Sequence, residues 1–160
     1  LLAGAALCGG RAYALLADFF AQTARMMGMD TNAPYAAYAA MEGLLKSADR
    51  PEDVPTVLPL FEGTRQDSTQ TGSITGLTAE NFTPLHLIYG MMDGMAHELH
   101  QMYQAYRAAG GTAKKLIGSG GGLRNNRFLC ESFSRAFDSE ITLSDGREEA
   151  ACGAALYAAD

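Results

Sequence analysis

The chain has 160 residues, of which 48% are hydrophobic and 19% are charged. This length suits one domain with a buried core, and this composition excludes an intrinsically disordered chain. Twelve basic and 18 acidic residues give a net charge of -6, which disfavours nucleic acid or an anionic membrane as the main partner. No apolar run approaches the roughly 20 residues that a membrane-spanning helix needs.

The first segment, residues 1–7, is apolar and is predicted to be a strand that stops at Gly9-Gly10. A signal peptide is the alternative, but no basic residues precede the run and bulky Leu7 stands just before Cys8. The three widely spaced cysteines match neither a disulfide framework nor a zinc site. We therefore expect a cytoplasmic protein.

Helical spacing of apolar residues predicts a helix over residues 11–27, closed by Gly28. A second helix is expected from Pro34 to about Ser47, because proline is favoured in the first turn. Two short β-prone segments follow at 57–61 and 73–77, with a polar loop between them.

The strongest helix prediction runs from Thr83 or Pro84 to about Ala108. Its apolar residues alternate spacings of three and four, which places them in a single stripe on one face. A stripe of this kind is typical of core packing, and the methionines in it are interpreted as core residues. The stripe consists of Leu85, Ile88, Met92, Met95, Leu99, Met102 and Tyr106.

The last third alternates a strand at 115–119, a helix at 125–137, a strand at 140–143 and a helix at 147–159. Such alternation indicates an α/β layered domain.

The most informative segment for function is a glycine cluster between a predicted strand and a predicted helix. Glycines let a ligand approach the backbone where any Cβ would clash, and Asn125 or Asn126 can cap the helix or present an amide to a base. The cluster lacks the Gly-Lys-Ser/Thr of a phosphate-binding P-loop and the third glycine of the dinucleotide fingerprint. A plain strand-to-helix turn remains the alternative. The glycines are Gly118, Gly120, Gly121 and Gly122.

Gly9-Gly10 forms a second junction of the same kind, after a predicted strand and before a predicted helix. By itself it could equally be a turn or a ligand loop. Because ligands of α/β folds gather at the carboxyl ends of strands, two such junctions strengthen the binding hypothesis.

Two other polar segments could carry chemistry but have simpler interpretations. His97 and His100, in a His-Glu-Leu-His run, are one residue short of a zinc-binding His-Glu-x-x-His box and fit a solvated helix face better. The run 62–67, Glu-Gly-Thr-Arg-Gln-Asp, could contact a polyhydroxy substrate, although surface loops often have this composition.

Three sequence blocks give the chain a family resemblance. They are Leu7-Cys-Gly-Gly10, Gly118-Ser-Gly-Gly-Gly-Leu-Arg-Asn-Asn126 and Glu148-Glu-Ala-Ala-Cys-Gly-Ala-Ala-Leu-Tyr-Ala-Ala159. The chain resembles, over essentially its whole length, the C-terminal domain of the FGGY family of carbohydrate kinases. The glycine loop and the Gly63-Thr64-Arg65 run look most like the sedoheptulokinase branch.

The resemblance implies a ribonuclease H-like (actin-like ATPase) domain, with a mixed sheet and helices on both faces. Residues 1–160 would be the C-terminal nucleotide-binding domain, which binds ATP with Mg²⁺. Gly121 and Asn125 match the family's adenosine-motif positions, Gly120 and Gly122 lie beside them, and Gly10 matches a position near the phosphates. Family members use an upstream aspartate as base, so no catalytic residue and no metal ligand are assigned in this chain.

The implied reaction is ATP-dependent phosphorylation of a ketose, sedoheptulose to sedoheptulose 7-phosphate, together with an N-terminal domain of the same protein. The alternatives are another FGGY kinase such as a xylulokinase, or an actin-like nucleotide-binding module without catalysis. A chain that opens on Leu1-Leu2 without Met is interpreted as one cut from a longer protein, and alone it is expected to be inactive.

Overall fold

The computed structural model describes residues 6, 9–30, 33, 35–113, 115–146 and 149–159. Its elements, in chain order, are α1 Gly9–Met26, α2 Ala36–Ser47, β1 Thr56–Leu58, β2 Ser73–Thr75, α3 Pro84–Ala108, β3 Leu116–Gly118, α4 Gly121–Asn125, α5 Arg127–Phe137, β4 Ile141–Leu143 and α6 Glu149–Ala159. None of the described helices is long and apolar enough to cross a membrane.

The strands form two pairs within the described residues. β1 and β2 are antiparallel, with Val57 opposite Ile74, and β3 and β4 are parallel, with Ile117 opposite Thr142. A parallel pair requires a crossover connection, and α4 and α5 provide it. The predicted alternation in the last third is therefore confirmed, while the described strands form two separate pairs rather than the one mixed sheet that was expected.

Most predicted helices and strands are present with shifted ends. The strand predicted at 1–7 lies outside the described residues except for Ala6, and Pro34, Arg147 and Glu148 also lie outside them. The prediction of a single helix at 125–137 is wrong in one respect, because the structure has two helices that meet at Asn126. Asn126 has an extended backbone (φ -134°, ψ 96°), so the helical hydrogen-bond ladder is interrupted there.

α3 is the centre of the core and packs against α1, α2, α5 and β1. The prediction of a single apolar stripe is only partly correct, because every residue from Leu87 to Met92 is buried. Residues 87–92 of α3 are therefore enclosed on all sides, while exposed Gln101 and Gln104 show that the second half of the helix has one open face. A periodic pattern predicts one buried face of a helix. The other faces of this part of α3 are also buried because the elements packed around it cover them.

Two glycines of α3 let β1 and the residues beside it lie directly on the helix. A Cβ at Gly90 would stand 2.8 Å from the Pro55 carbonyl oxygen and 2.9 Å from Val57 Cγ2. A Cβ at Gly94 would collide with the Val57 carbonyl oxygen. This close approach fixes the position of the chain that leads into residues 59–65.

Candidate functional site

The glycine cluster lies where β3 ends and α4 begins, and its members have different roles. A Cβ at Gly118 would stand 2.8 Å from Ile141 Cγ2 and 3.0 Å from Leu123 Cδ1. Gly118 is therefore explained by the packing of β3 against its neighbours, without any ligand. Gly120 has φ 97°, a conformation that L side chains rarely adopt, and it makes the bend into α4.

Gly121 and Gly122 have no such internal explanation. Both are exposed, and the nearest atom to a Cβ built at either position is 3.8 Å away, at ordinary van der Waals distance. Neither a bend nor a close internal contact requires glycine there. The two positions leave backbone accessible from outside, as a ligand-contacting loop requires.

The structure distinguishes the two asparagines that follow the loop. Asn126 Oδ1 accepts a hydrogen bond from the Leu129 backbone N–H at 3.1 Å, and Asn126 Nδ2 lies 3.7 Å from Met92 Sδ. Asn126 is therefore the N-cap of α5. Asn125 is exposed, and its Nδ2 is the atom nearest to a Cβ at Gly121. This geometry leaves the Asn125 amide beside the open glycines.

A tyrosine from α1 holds the α4–α5 junction. The Tyr13 and Asn126 side chains are hydrogen-bonded, and this bond favours the ionised phenol. Burial outweighs it and raises the pKa of Tyr13 from 10.0 to about 12. Tyr13 therefore remains a neutral phenol at physiological pH and links α1 to the glycine loop.

Gly10 and Gly122 line one cleft of about 200 Å³. Gly10 is exposed near the start of α1, and no atom lies within 4 Å of a Cβ built there. Ser119 and Glu98 also line the cleft, and the remaining lining is largely apolar: Met95, Leu99, Leu123, Leu129 and Phe133, together with Ala6 and Gly9. The two glycine junctions predicted from the sequence therefore meet at one cavity.

Glu98 also lines the cleft, although the sequence suggested no role for it beyond its place in the His-Glu-Leu-His run. Burial raises the pKa of its carboxyl group above the ordinary value of 4.5. The helical spacing of Glu98 could have indicated this position, because Glu98 lies three residues after Met95 and next to Leu99, which both belong to the predicted stripe.

The two other polar segments have local partners. His97 Nε2 lies 2.9 Å from Gln101 Nε2, and the His100 ring packs edge-on against Phe137 with centroids 5.0 Å apart. His97 is exposed, as the solvated-face interpretation predicts, whereas His100 is only partly exposed.

In the 62–67 run, Glu62 Oε1 lies 2.8 Å from Arg11 Nε, which joins this loop to the start of α1. Asp67 accepts hydrogen bonds from Thr69, which lower the pKa of Asp67 below its ordinary value. These contacts favour the interpretation as a surface loop.

Comparison with known proteins gives one family match and several relatives. The family described as "FGGY family of carbohydrate kinases, C-terminal domain" matches residues 1–159. Xylulose kinase of Bacillus subtilis (strain 168) is 27% identical over 93 residues, which is 58% of this chain and 18% of that protein.

Among solved structures, xylulose kinase from Rhodospirillum rubrum is 23% identical with a TM-score of 0.68, and the match covers 84% of this chain and 25% of that one. Plasmodium falciparum glycerol kinase with ADP is 18% identical with a TM-score of 0.61, covering 88% and 27% respectively. The chain thus spans about a quarter of the length of these relatives. The likeness confirms the predicted ribonuclease H-like (actin-like ATPase) fold.

Proposed function

Because the chain belongs to the FGGY family of carbohydrate kinases as a C-terminal domain, we propose that it is the nucleotide-binding part of an ATP-dependent sugar kinase. The observation that supports this most directly is the meeting of Gly10 and Gly122 at one cleft, beside exposed Gly121 and Asn125. In this proposal residues 1–160 work with an N-terminal domain of the same protein.

The residues around the cleft fit a nucleotide. The open backbone at Gly121 and Gly122 can accept close contact from a ribose or a base, and the Asn125 amide can both donate to and accept from a base edge. The apolar side of the cleft, formed by Met95 and Leu99 among others, suits a ring face. Gly10 lines the same cleft, and we place the phosphates beside it.

The described residues contain no group of three or more His, Cys, Asp or Glu side chains placed to hold a metal ion. We therefore assign no metal ligand to this part of the chain, and phosphate oxygens are the ligands on which Mg²⁺ would depend. When bound, ATP with Mg²⁺ supplies the phosphoryl group and its charge neutralisation. The contribution of this chain would be positioning, because its glycine loop would contact the nucleotide and the apolar lining of the cleft would exclude water.

We propose a five-carbon ketose, as in xylulokinases, as the sugar that the complete protein phosphorylates. Two of the relatives named above are xylulose kinases, and this supports the xylulokinase alternative over the sedoheptulokinase branch. The catalytic base and most of the sugar contacts would belong to the N-terminal domain.

The test uses the full-length protein with Gly121→Val and a matched control, Gly43→Val. Both glycines are exposed and helical, and no atom lies closer than 3.8 Å to a Cβ built at either position, so both variants should fold. We expect Gly121→Val to weaken ATP binding by about tenfold or more, because its side chain occupies the contact surface, while Gly43→Val binds ATP like the parent. Calorimetric titration with ATP and Mg²⁺ measures both.

Phosphorylation of a panel including xylulose and sedoheptulose distinguishes the alternatives. Turnover of xylulose in preference to sedoheptulose would support the proposed substrate. ATP binding without turnover of any ketose or polyol would favour the non-catalytic module. Absence of saturable ATP binding by the complete protein would refute the nucleotide site itself.

A further inference from the structure

A second cavity, of about 380 Å³, lies on another face of α3 from the glycine cleft. Gly90, Asp93, Gly94 and His97 of α3 line it, and their spacing places them along one side of the helix. At 100° per residue, this side is roughly 140° away from the side that carries Met95, Glu98 and Leu99. The other walls are residues 54–57 and α5, with Ser132, Arg135 and Ala136, and Arg50 completes the lining.

The charged groups in this second cavity are two arginines around a single carboxylate. Arg50 donates to both carboxylate oxygens of Asp93, at 3.3 and 2.5 Å, and Arg135 Nη2 lies 3.8 Å from Asp93 Oδ1. Arg50 and Asp93 are partly buried, with side chains 29% and 31% exposed. Within the cavity lining two guanidinium groups therefore face one carboxylate, while Glu131, one helical turn before Arg135 on α5, lines a neighbouring cavity with Arg50. A guanidinium offers several N–H donors in a planar fork that matches an oxyanion.

Ser132 gives an independent indication of a missing partner. The residue is 1% exposed, and its Oγ has no hydrogen-bond partner within the part of the chain that the structure describes. Buried hydroxyl groups are nearly always hydrogen-bonded, because leaving one without a partner costs stability. Ser132 lines the same cavity as Arg135, which lies one helical turn further along α5.

We propose that this cavity binds the phosphate group of a small phosphorylated metabolite. Arg135 and the free positions of Arg50 would donate to the phosphate oxygens, and the Ser132 hydroxyl would gain its missing partner. The apolar walls at Val54, Pro55 and Val57 leave room for a short carbon skeleton. The volume lies within the range of small-molecule sites. This site would exist whether or not the protein transfers a phosphoryl group.

The test is titration of the full-length protein with inorganic phosphate at constant ionic strength, followed by calorimetry. We expect saturable binding, weakened about tenfold or more by Arg135→Gln and severalfold by Ser132→Ala, because each removes a donor. The control is Arg107→Gln, since Arg107 is an exposed arginine of α3 outside the cavity, and it should bind like the parent.

Folding is checked by thermal melting without phosphate. Arg135 is about half exposed, and Ser132→Ala removes a hydroxyl that has no partner among the described residues, so both variants should melt close to the parent. Absence of saturation by phosphate would refute the site. Equal affinity in the parent, Arg135→Gln and Ser132→Ala would also refute it. Phosphate binding that survives in these two variants but disappears in Gly121→Val would assign the phosphate to the glycine loop and overturn the proposal.

Discussion

Replacing Gly94 by Ala tests whether β1 lies directly on α3. A Cβ at this position would collide with the Val57 carbonyl oxygen, and it would stand 3.1 Å from the Val57 carbonyl carbon and 3.3 Å from Pro59 Cδ. A backbone oxygen cannot rotate away as a side chain can, so the strand itself must shift. The shift would also displace the segment between β1 and Glu62. The ion pair of Glu62 with Arg11 joins this segment to the start of α1.

The magnitude follows from two opposing effects. Overpacking a core costs about 1–3 kcal/mol, and we expect about 3 kcal/mol because the contact is with backbone. Alanine is favoured over glycine in a helix interior by about 1 kcal/mol, so Gly94→Ala should destabilise the fold by about 2 kcal/mol. Gly43 of α2 is an exposed helical glycine, and a Cβ added there would have no atom within 4 Å. Gly43→Ala should therefore stabilise by about 1 kcal/mol.

The difference between the two variants, about 3 kcal/mol, isolates the steric effect because helix propensity contributes equally to both. Thermal denaturation followed by circular dichroism should separate their midpoints by about 6–12 °C for a chain of this size. Equal midpoints for Gly94→Ala and Gly43→Ala would refute the close contact between β1 and α3. A lower midpoint for Gly43→Ala than for the parent would show that Gly43 is not an unconstrained helical glycine and therefore not a valid control.

Two further predictions concern the surroundings of the glycine loop. Asn126→Ala should lower the free energy of unfolding by about 1 kcal/mol, because α5 loses the cap bond from Leu129 N–H, and urea denaturation measures this. Glu98→Gln should remove part of the pH dependence of stability. Burial raises the pKa of Glu98 above 4.5, so the folded state retains a proton that the unfolded state has released, and stability falls as pH rises through that window.

Both predictions have matched controls. Asn126→Asp keeps the acceptor oxygen and should retain most of the stability that the cap provides. If Asn126→Asp and Asn126→Ala lose the same unfolding free energy, the hydrogen bond from Leu129 N–H does not cause the loss. For Glu98→Gln the comparison is the slope of unfolding free energy against pH, measured upward from pH 4.5. A slope identical to that of the parent would show that the Glu98 carboxyl group is solvated in the folded protein.

Local chemistry made the bounds of α3 predictable from the sequence. Thr83 is an N-cap whose Oγ1 accepts from His86 N–H, and Pro84 follows it at the first helical position. Both signals are contained in neighbouring residues, so no knowledge of the rest of the fold is needed. The enclosure of residues 87–92 of α3 was not predictable in this way, because Gly90 and Tyr89 become buried only through β1 and other elements.

The glycines and asparagines of the candidate site could be selected from the sequence, but their individual roles could not all be assigned from it. Gly121 and Gly122 stand out because no local bend or contact explains them, and the structure leaves both open. The choice between Asn125 and Asn126 could not be made from the sequence, since either can cap a helix. It depends on contacts of Asn126 with Tyr13 and Met92, which are far away in the chain.

These contacts explain how a loop of small residues can hold a fixed position. Asn126 follows the loop directly, caps α5, and contacts Tyr13 of α1 and Met92 of α3. Met92 is completely buried in the enclosed part of α3. The end of the glycine loop is therefore attached to three helices of the core. The same helix carries Asp93, whose two oxygens bind Arg50, on another face, so residues of α3 line both cavities.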